Sequence, residues 1–140
     1  MLKKYSIEMA NYDLSGICLS ENTEVRQLII KVLLKLPEEV RDFLTESCKF
    51  FVPDFEYGRV WEGQDFQADF IIYLGQDLAE MENEEDALSV IAHEIAHAYL
   101  NHSTLSTDGV ECEKEACEKA SSWGFSGIGT DLDYCYKSKL

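Results

Sequence analysis

Apolar residues recur along this chain with two different periods. Val25, Leu28, Ile29, Val32, Leu33 and Leu36 form a single stripe at helical spacing. The stripe predicts a helix from about Glu21 to Leu36, with Ser20 able to cap its start. Pro37 breaks the pattern and suits the first turn of a second, shorter helix, PEEVRDFLTES, whose apolar positions are Val40, Phe43 and Leu44. The period then shortens. CKFFV (Cys48 to Val52), EYGRVW (Glu56 to Trp61) and ADFIIYL (Ala68 to Leu74) are rich in aromatic and β-branched residues and are separated or ended by turn-forming PD, EGQD and GQD, which predicts three strands. Their links look too short for parallel crossovers, so an antiparallel meander is expected, with Tyr57, Trp61 and Phe66 as core or turn packing.

Helical spacing returns in ENEEDALSVIAHEIAHAYLNH. Asn83 can cap this helix, Glu84, Glu85 and Asp86 place negative charge in its first turn, and the pattern extends to about Leu100. A polar loop leads to a last helix of about Val110 to Trp123. Gly124 stands where a left-handed terminating residue is expected, and Phe125 can make the accompanying apolar contact. The order is two helices, three strands and two helices. Segregated elements of this kind predict an α+β fold with a small antiparallel three-stranded sheet. The chain of 140 residues fits one domain, residues 1–140.

The histidine helix is apolar nearly all round, as expected of a helix in the middle of a domain. His93, Glu94 and His97 interrupt it. Four residues on a helix turn by about 400°, so His97 lies ~40° round from His93 and about 6 Å further along the axis. Two imidazoles so placed can converge on one ion, with Glu94 beside them. Burying these groups without partners is costly, and a Zn2+ ion removes that cost by accepting two nitrogen ligands. H-E-x-x-H on a helix is the sequence signature of that arrangement.

A catalytic zinc ordinarily takes a third protein ligand. His102 follows His97 by five residues without an intervening glycine turn, and reads first as a surface or loop residue, then as a cleft residue, and only then as a ligand. In the last helix, Cys112, Ala116, Ala120 and Trp123 define an inward face, with Cys117 on its flank. Glu113 is the one glutamate bordering that face, while Glu111, Glu115 and Glu118 fall on the opposite side. Glu113 is therefore the leading third ligand, with a solvated surface charge as its plain alternative.

Charge narrows the partners. A net charge of −15 disfavours nucleic acid and anionic membranes, because phosphate would be repelled. Five cysteines without a C-x-x-C pair make a poor disulfide framework, and reduced thiols suit a cytoplasmic location. The N-terminal stretch MLKKYSIEMANYDLSG lacks the apolar core of a signal peptide.

With HEIAH (His93 to His97) followed by EKEAC (Glu113 to Cys117), the chain resembles the zincin metallopeptidases of the gluzincin branch, which pair H-E-x-x-H on one helix with a glutamate on the next, often within E-x-x-A-D. Its short length and element order also resemble the compact ImmA/IrrE-type metallopeptidases, which act on repressor proteins. The resemblance spans about Ala68 to Phe125. It implies a minimal zincin-like fold, His93, His97 and Glu113 as zinc ligands, Glu94 as the general base that activates a zinc-bound water, and a peptide or protein substrate paired along ADFIIYL. One position departs from the pattern: the acidic residue that commonly holds a ligand histidine is Cys117 here, and a thiol is a weak partner. His102, Tyr134 and Tyr136 are candidates to stabilise the oxyanion. Two other readings stay open: a zinc-binding domain of weak or no catalytic activity that acts through protein binding, and an enzyme whose third ligand is His102 or a distant residue.

Overall fold

The computed structural model describes residues 23–51, 70–102 and 109–134. Helix α1 (Thr23–Lys35) and helix α2 (Glu38–Ser47) lead into strand β1 (Cys48–Phe51). Strand β2 (Phe70–Tyr73), a 3₁₀ turn (Gln76–Glu80), helix α3 (Glu84–Tyr99), helix α4 (Gly109–Ser122) and a second 3₁₀ turn (Ile128–Thr130) follow. The six apolar residues of the α1 stripe are all buried. Pro37 is the N-cap of α2 rather than its first helical residue, and its carbonyl accepts from the Val40 and Arg41 amides. Val40 and Leu44 are buried, while Phe43 packs at the core's edge.

The sheet corrects the expectation. The strands β1 and β2 are parallel, in register Cys48↔Phe70 to Phe51↔Tyr73, and the sheet has two strands among the described residues. The antiparallel meander assumed that segments adjacent in sequence are adjacent in space. Instead, residues 52–69 intervene between β1 and β2, and a connection of a dozen or more residues suffices for a parallel return. The expected strand Glu56 to Trp61, with Tyr57, Trp61 and Phe66, lies outside the described residues, as does Ser20. The α+β class stands, in a mostly helical form.

α3 forms the centre of the molecule, packed against α1, β2, α4 and the second 3₁₀ turn. Its start is capped as expected: Asn83 Oδ1 accepts from the Glu85 amide at 2.9 Å. Ala92 and Ala96 on α3 and Ala116 and Ala120 on α4 are fully buried, and such small residues let the two axes approach closely. α4 ends as its sequence predicts. Gly124 adopts φ +100°, Phe125 N–H donates to the Ala120 carbonyl at 3.3 Å, and the Phe125 ring is buried in the core. Among the described residues no helix is long and apolar enough to cross a membrane.

After Phe125 the chain turns back and straps the first half of α3. Three amides donate to side chains of that helix: Ser126 to Glu85 Oε2 at 3.1 Å, Ile128 to Asp86 Oδ1 at 2.9 Å and Gly129 to Ser89 Oγ at 2.8 Å. Ser89 is fully buried, and its hydroxyl donates in turn to the Asp86 carbonyl at 2.8 Å. The approach requires glycine. A Cβ on Gly129 would lie 2.2 Å from the Ser89 carbonyl carbon and 2.3 Å from Val90 N, both helix backbone that cannot move aside. Gly129→Ala is therefore expected to destabilise the domain by about 1–3 kcal/mol, the usual cost of overpacking, read as a lower urea midpoint with an unchanged slope. A midpoint equal to that of the wild type would show that the strap is dispensable.

Candidate metal centre

With α3 packed against α1, β2, α4 and the second 3₁₀ turn, the direction of its polar residues is set by the helix. His93 is 2% exposed and points between α3 and α4. One turn later, His97 lies on the same face with its ring 4.6 Å from that of His93, centroid to centroid. From α4, Glu113 enters the same space and is only 4% exposed. His97 Nε2 lies 2.5 Å from Glu113 Oε2 and 3.0 Å from His93 Nε2, and His93 Nε2 lies 3.4 Å from both carboxylate oxygens of Glu113. The face assignment of α4 made from its sequence agrees with this placement: Ala116, Cys117 and Ala120 are buried, while Glu111, Glu115 and Glu118 are exposed. Glu94, next to His93 in sequence on α3, is partly exposed.

The donor set fits a divalent cation. Each of the three residues offers a ligand atom within 4.8 Å of the others. Two imidazole nitrogens and a carboxylate converge on one buried point, with His97 Nε2 2.5 Å from Glu113 Oε2 and 3.0 Å from His93 Nε2. One cation at the focus serves all three, and nitrogen with carboxylate oxygen is a donor set that zinc accepts.

Of the residues behind the histidines, sequence reasoning singled out Cys117 but did not place His102 or Glu115 there. Cys117 is buried with Sγ 3.6 Å from His93 Nδ1, so the thiol occupies the place where the resemblance expects a carboxylate. His102 lies just past the end of α3, as expected, but its ring is part-buried rather than at the surface. Its Nδ1 lies 2.8 Å from His97 Nδ1, and its Nε2 lies 2.8 Å from Glu115 Oε1. The way α3 ends accounts for this. Asn101 adopts φ +60°, its amide donates to the Ala98 carbonyl at 3.0 Å, and the His102 amide donates to the His97 carbonyl at 2.8 Å. This is a Schellman termination, which brings the residue after the left-handed one back over the residue five positions earlier. That contact is ordinarily apolar; here it joins two imidazoles. The available signal was asparagine, a common left-handed terminator, directly before a histidine five residues after a ligand candidate.

The fold and the cluster together define a helical α+β domain carrying a buried His–His–Glu site that could hold a metal ion. Residues 55–118 match the model of Peptidase family M48, a stretch that includes β2, all of α3, and Glu113 and Cys117 of α4. The match covers less than half of the chain. No curated protein and no solved structure matches the chain significantly.

Proposed function

We propose that residues 1–140 form a single zinc-dependent metallopeptidase domain that hydrolyses peptide bonds. His93, His97 and Glu113 hold the ion, and Glu94 is the general base. The observation that carries this reading is the buried convergence of two imidazoles and a carboxylate inside a stretch that matches a peptidase family. When bound, zinc supplies Lewis acidity, lowering the pKa of water and polarising a carbonyl. The protein does the rest. The Glu94 carboxylate accepts a proton from the attacking water as the new C–O bond forms, and returns it to the amide nitrogen as the C–N bond breaks. Both His102 ring nitrogens have partners, which favours a tyrosine as the donor to the oxyanion. That role falls to Tyr134, whose side chain is exposed, or to Tyr136, outside the described residues.

The substrate is a peptide or protein segment in extended form, laid along β2, the strand that precedes α3. Both the M48-type and the ImmA/IrrE-type readings share this requirement, and the matched family favours the first. Nucleic acid and membrane lipid are not substrates of so acidic a chain, and its thiols suit the cytoplasm.

The test is diffraction at the zinc absorption edge, combined with hydrolysis of denatured, fluorescently labelled casein. We expect one zinc per chain between His93, His97 and Glu113, and cleavage that a chelator stops and added zinc restores. An anomalous peak elsewhere overturns the ligand set. Zinc bound at this place without any hydrolysis reduces the domain to one that acts through binding.

A further inference from the structure

We infer that His102 and Glu115 form a proton-ordered relay that holds His97 in the orientation and tautomer a metal ion requires. The inference rests on the metal reading above. A neutral imidazole carries one proton on one of two nitrogens. His97 Nε2 points into the cluster, 2.5 Å from Glu113 Oε2 and 3.0 Å from His93 Nε2. For that nitrogen to present its lone pair to an ion, the ring's proton sits on Nδ1. That Nδ1 lies 2.8 Å from His102 Nδ1, which must then accept. The His102 proton is consequently on Nε2, 2.8 Å from Glu115 Oε1, and a carboxylate accepts it. Each assignment forces the next, and the chain of donors ends on an anion that sets its direction.

The two ligand histidines are thereby supported unequally. His93 donates from Nδ1 toward the Cys117 sulfur at 3.6 Å, a long contact to a weak acceptor. His97 donates to a ring nitrogen that is itself polarised by a carboxylate. Outer partners of this kind fix a ligand's orientation, and losing one typically costs 10–100-fold in metal affinity. The relay's residues are also placed by the backbone. The termination of α3 puts His102 over His97. On α4, Glu113 and Glu115 are two residues and about 200° apart, so the helix offers one carboxylate to the buried cluster and another, half exposed, to His102. His102 and Glu115 are thus positioning residues, and α4 contributes to both histidine supports as well as to the ligand set.

A double-mutant cycle on zinc affinity, measured by competition with a chromophoric chelator, tests this. His102→Leu supplies the apolar side chain that this termination ordinarily carries, so the apo protein should melt as the wild type does, while zinc affinity falls about tenfold. His102→Asn, which keeps an acceptor near His97 Nδ1, should recover most of that loss. Glu115→Ala should weaken zinc about threefold, a small effect because its carboxylate is largely solvated, and should have no effect in the His102→Leu background. Cobalt-loaded His102→Leu should show visible absorption bands displaced from those of the wild type. Two results overturn the relay while leaving the metal reading intact: unchanged affinity in His102→Leu, or a Glu115→Ala effect of equal size in both backgrounds, which would mark action through space as a mere charge. Failure of the wild type to bind zinc overturns the metal reading, and the relay with it.

Discussion

Glu94→Gln is expected to bind zinc within about twofold of the wild type and to lose peptide hydrolysis by the ~10²–10⁴-fold that a positioned general base contributes. The separation follows from where the residue stands. His93, His97 and Glu113 converge without Glu94, so replacing its carboxylate with an amide of nearly the same volume leaves the ligand atoms in place. A glutamine Oε1 can still accept a hydrogen bond from water but cannot take its proton. Glu94 is also partly exposed, as a group that meets both water and substrate must be. The measurement is zinc stoichiometry and affinity alongside the rate of casein cleavage on the same preparation. Full hydrolysis by Glu94→Gln would remove Glu94 from the mechanism, whatever the metal does.

The parts of the fold set by local periodicity were legible before the structure. The α1 stripe, the Asn83 cap, the apolar surround of His93 and His97, and the inward face of α4 with Glu113 on its border each follow from spacing along one helix. The Gly124–Phe125 termination was legible because a glycine and the apolar residue after it carry the whole motif. What escaped depends on contacts between distant segments. Whether β1 and β2 run parallel or antiparallel is decided by the path of the chain between them, and strand composition says nothing about that path. The strap after Phe125 is not legible in the sequence, since the space that demands a glycine at 129 is made by α3, about forty residues earlier.

The histidine relay escaped for a different reason. A helical wheel assigns His102 a direction far from His97, because five residues turn by about 500°, or ~140° net. The helix has ended by then, and its termination reverses the chain over its own last turn. Reading the asparagine as a terminator rather than as a polar loop residue would have placed His102 correctly. Cys117 is the converse case. Its departure from the resemblance was visible in the sequence, but that its sulfur still faces His93 is a matter of helix–helix packing.

Glu113→Ala is expected to lower zinc affinity by more than the ~100-fold that marks the upper range for residues standing behind a ligand, far beyond the effect of Glu115→Ala two residues away. The stability of the two forms separates this from simple unfolding. Without metal, the native carboxylate is 4% exposed and pairs with two imidazoles, and the cost of taking its charge out of water offsets much of what that pairing contributes. The near-isosteric Glu113→Gln keeps the packing and relieves that cost, so its apo melting temperature should lie close to that of the apo wild type. With metal, the wild type gains stability by mass action, ~2.7 kcal/mol when free zinc is 100 times Kd, and both Glu113 variants should lose most of that gain. Differential scanning fluorimetry with and without zinc reads both quantities in one experiment. Equal zinc-induced shifts in Glu113→Ala and Glu115→Ala would mean that α4 presents a different face to α3 from the one its buried alanines define.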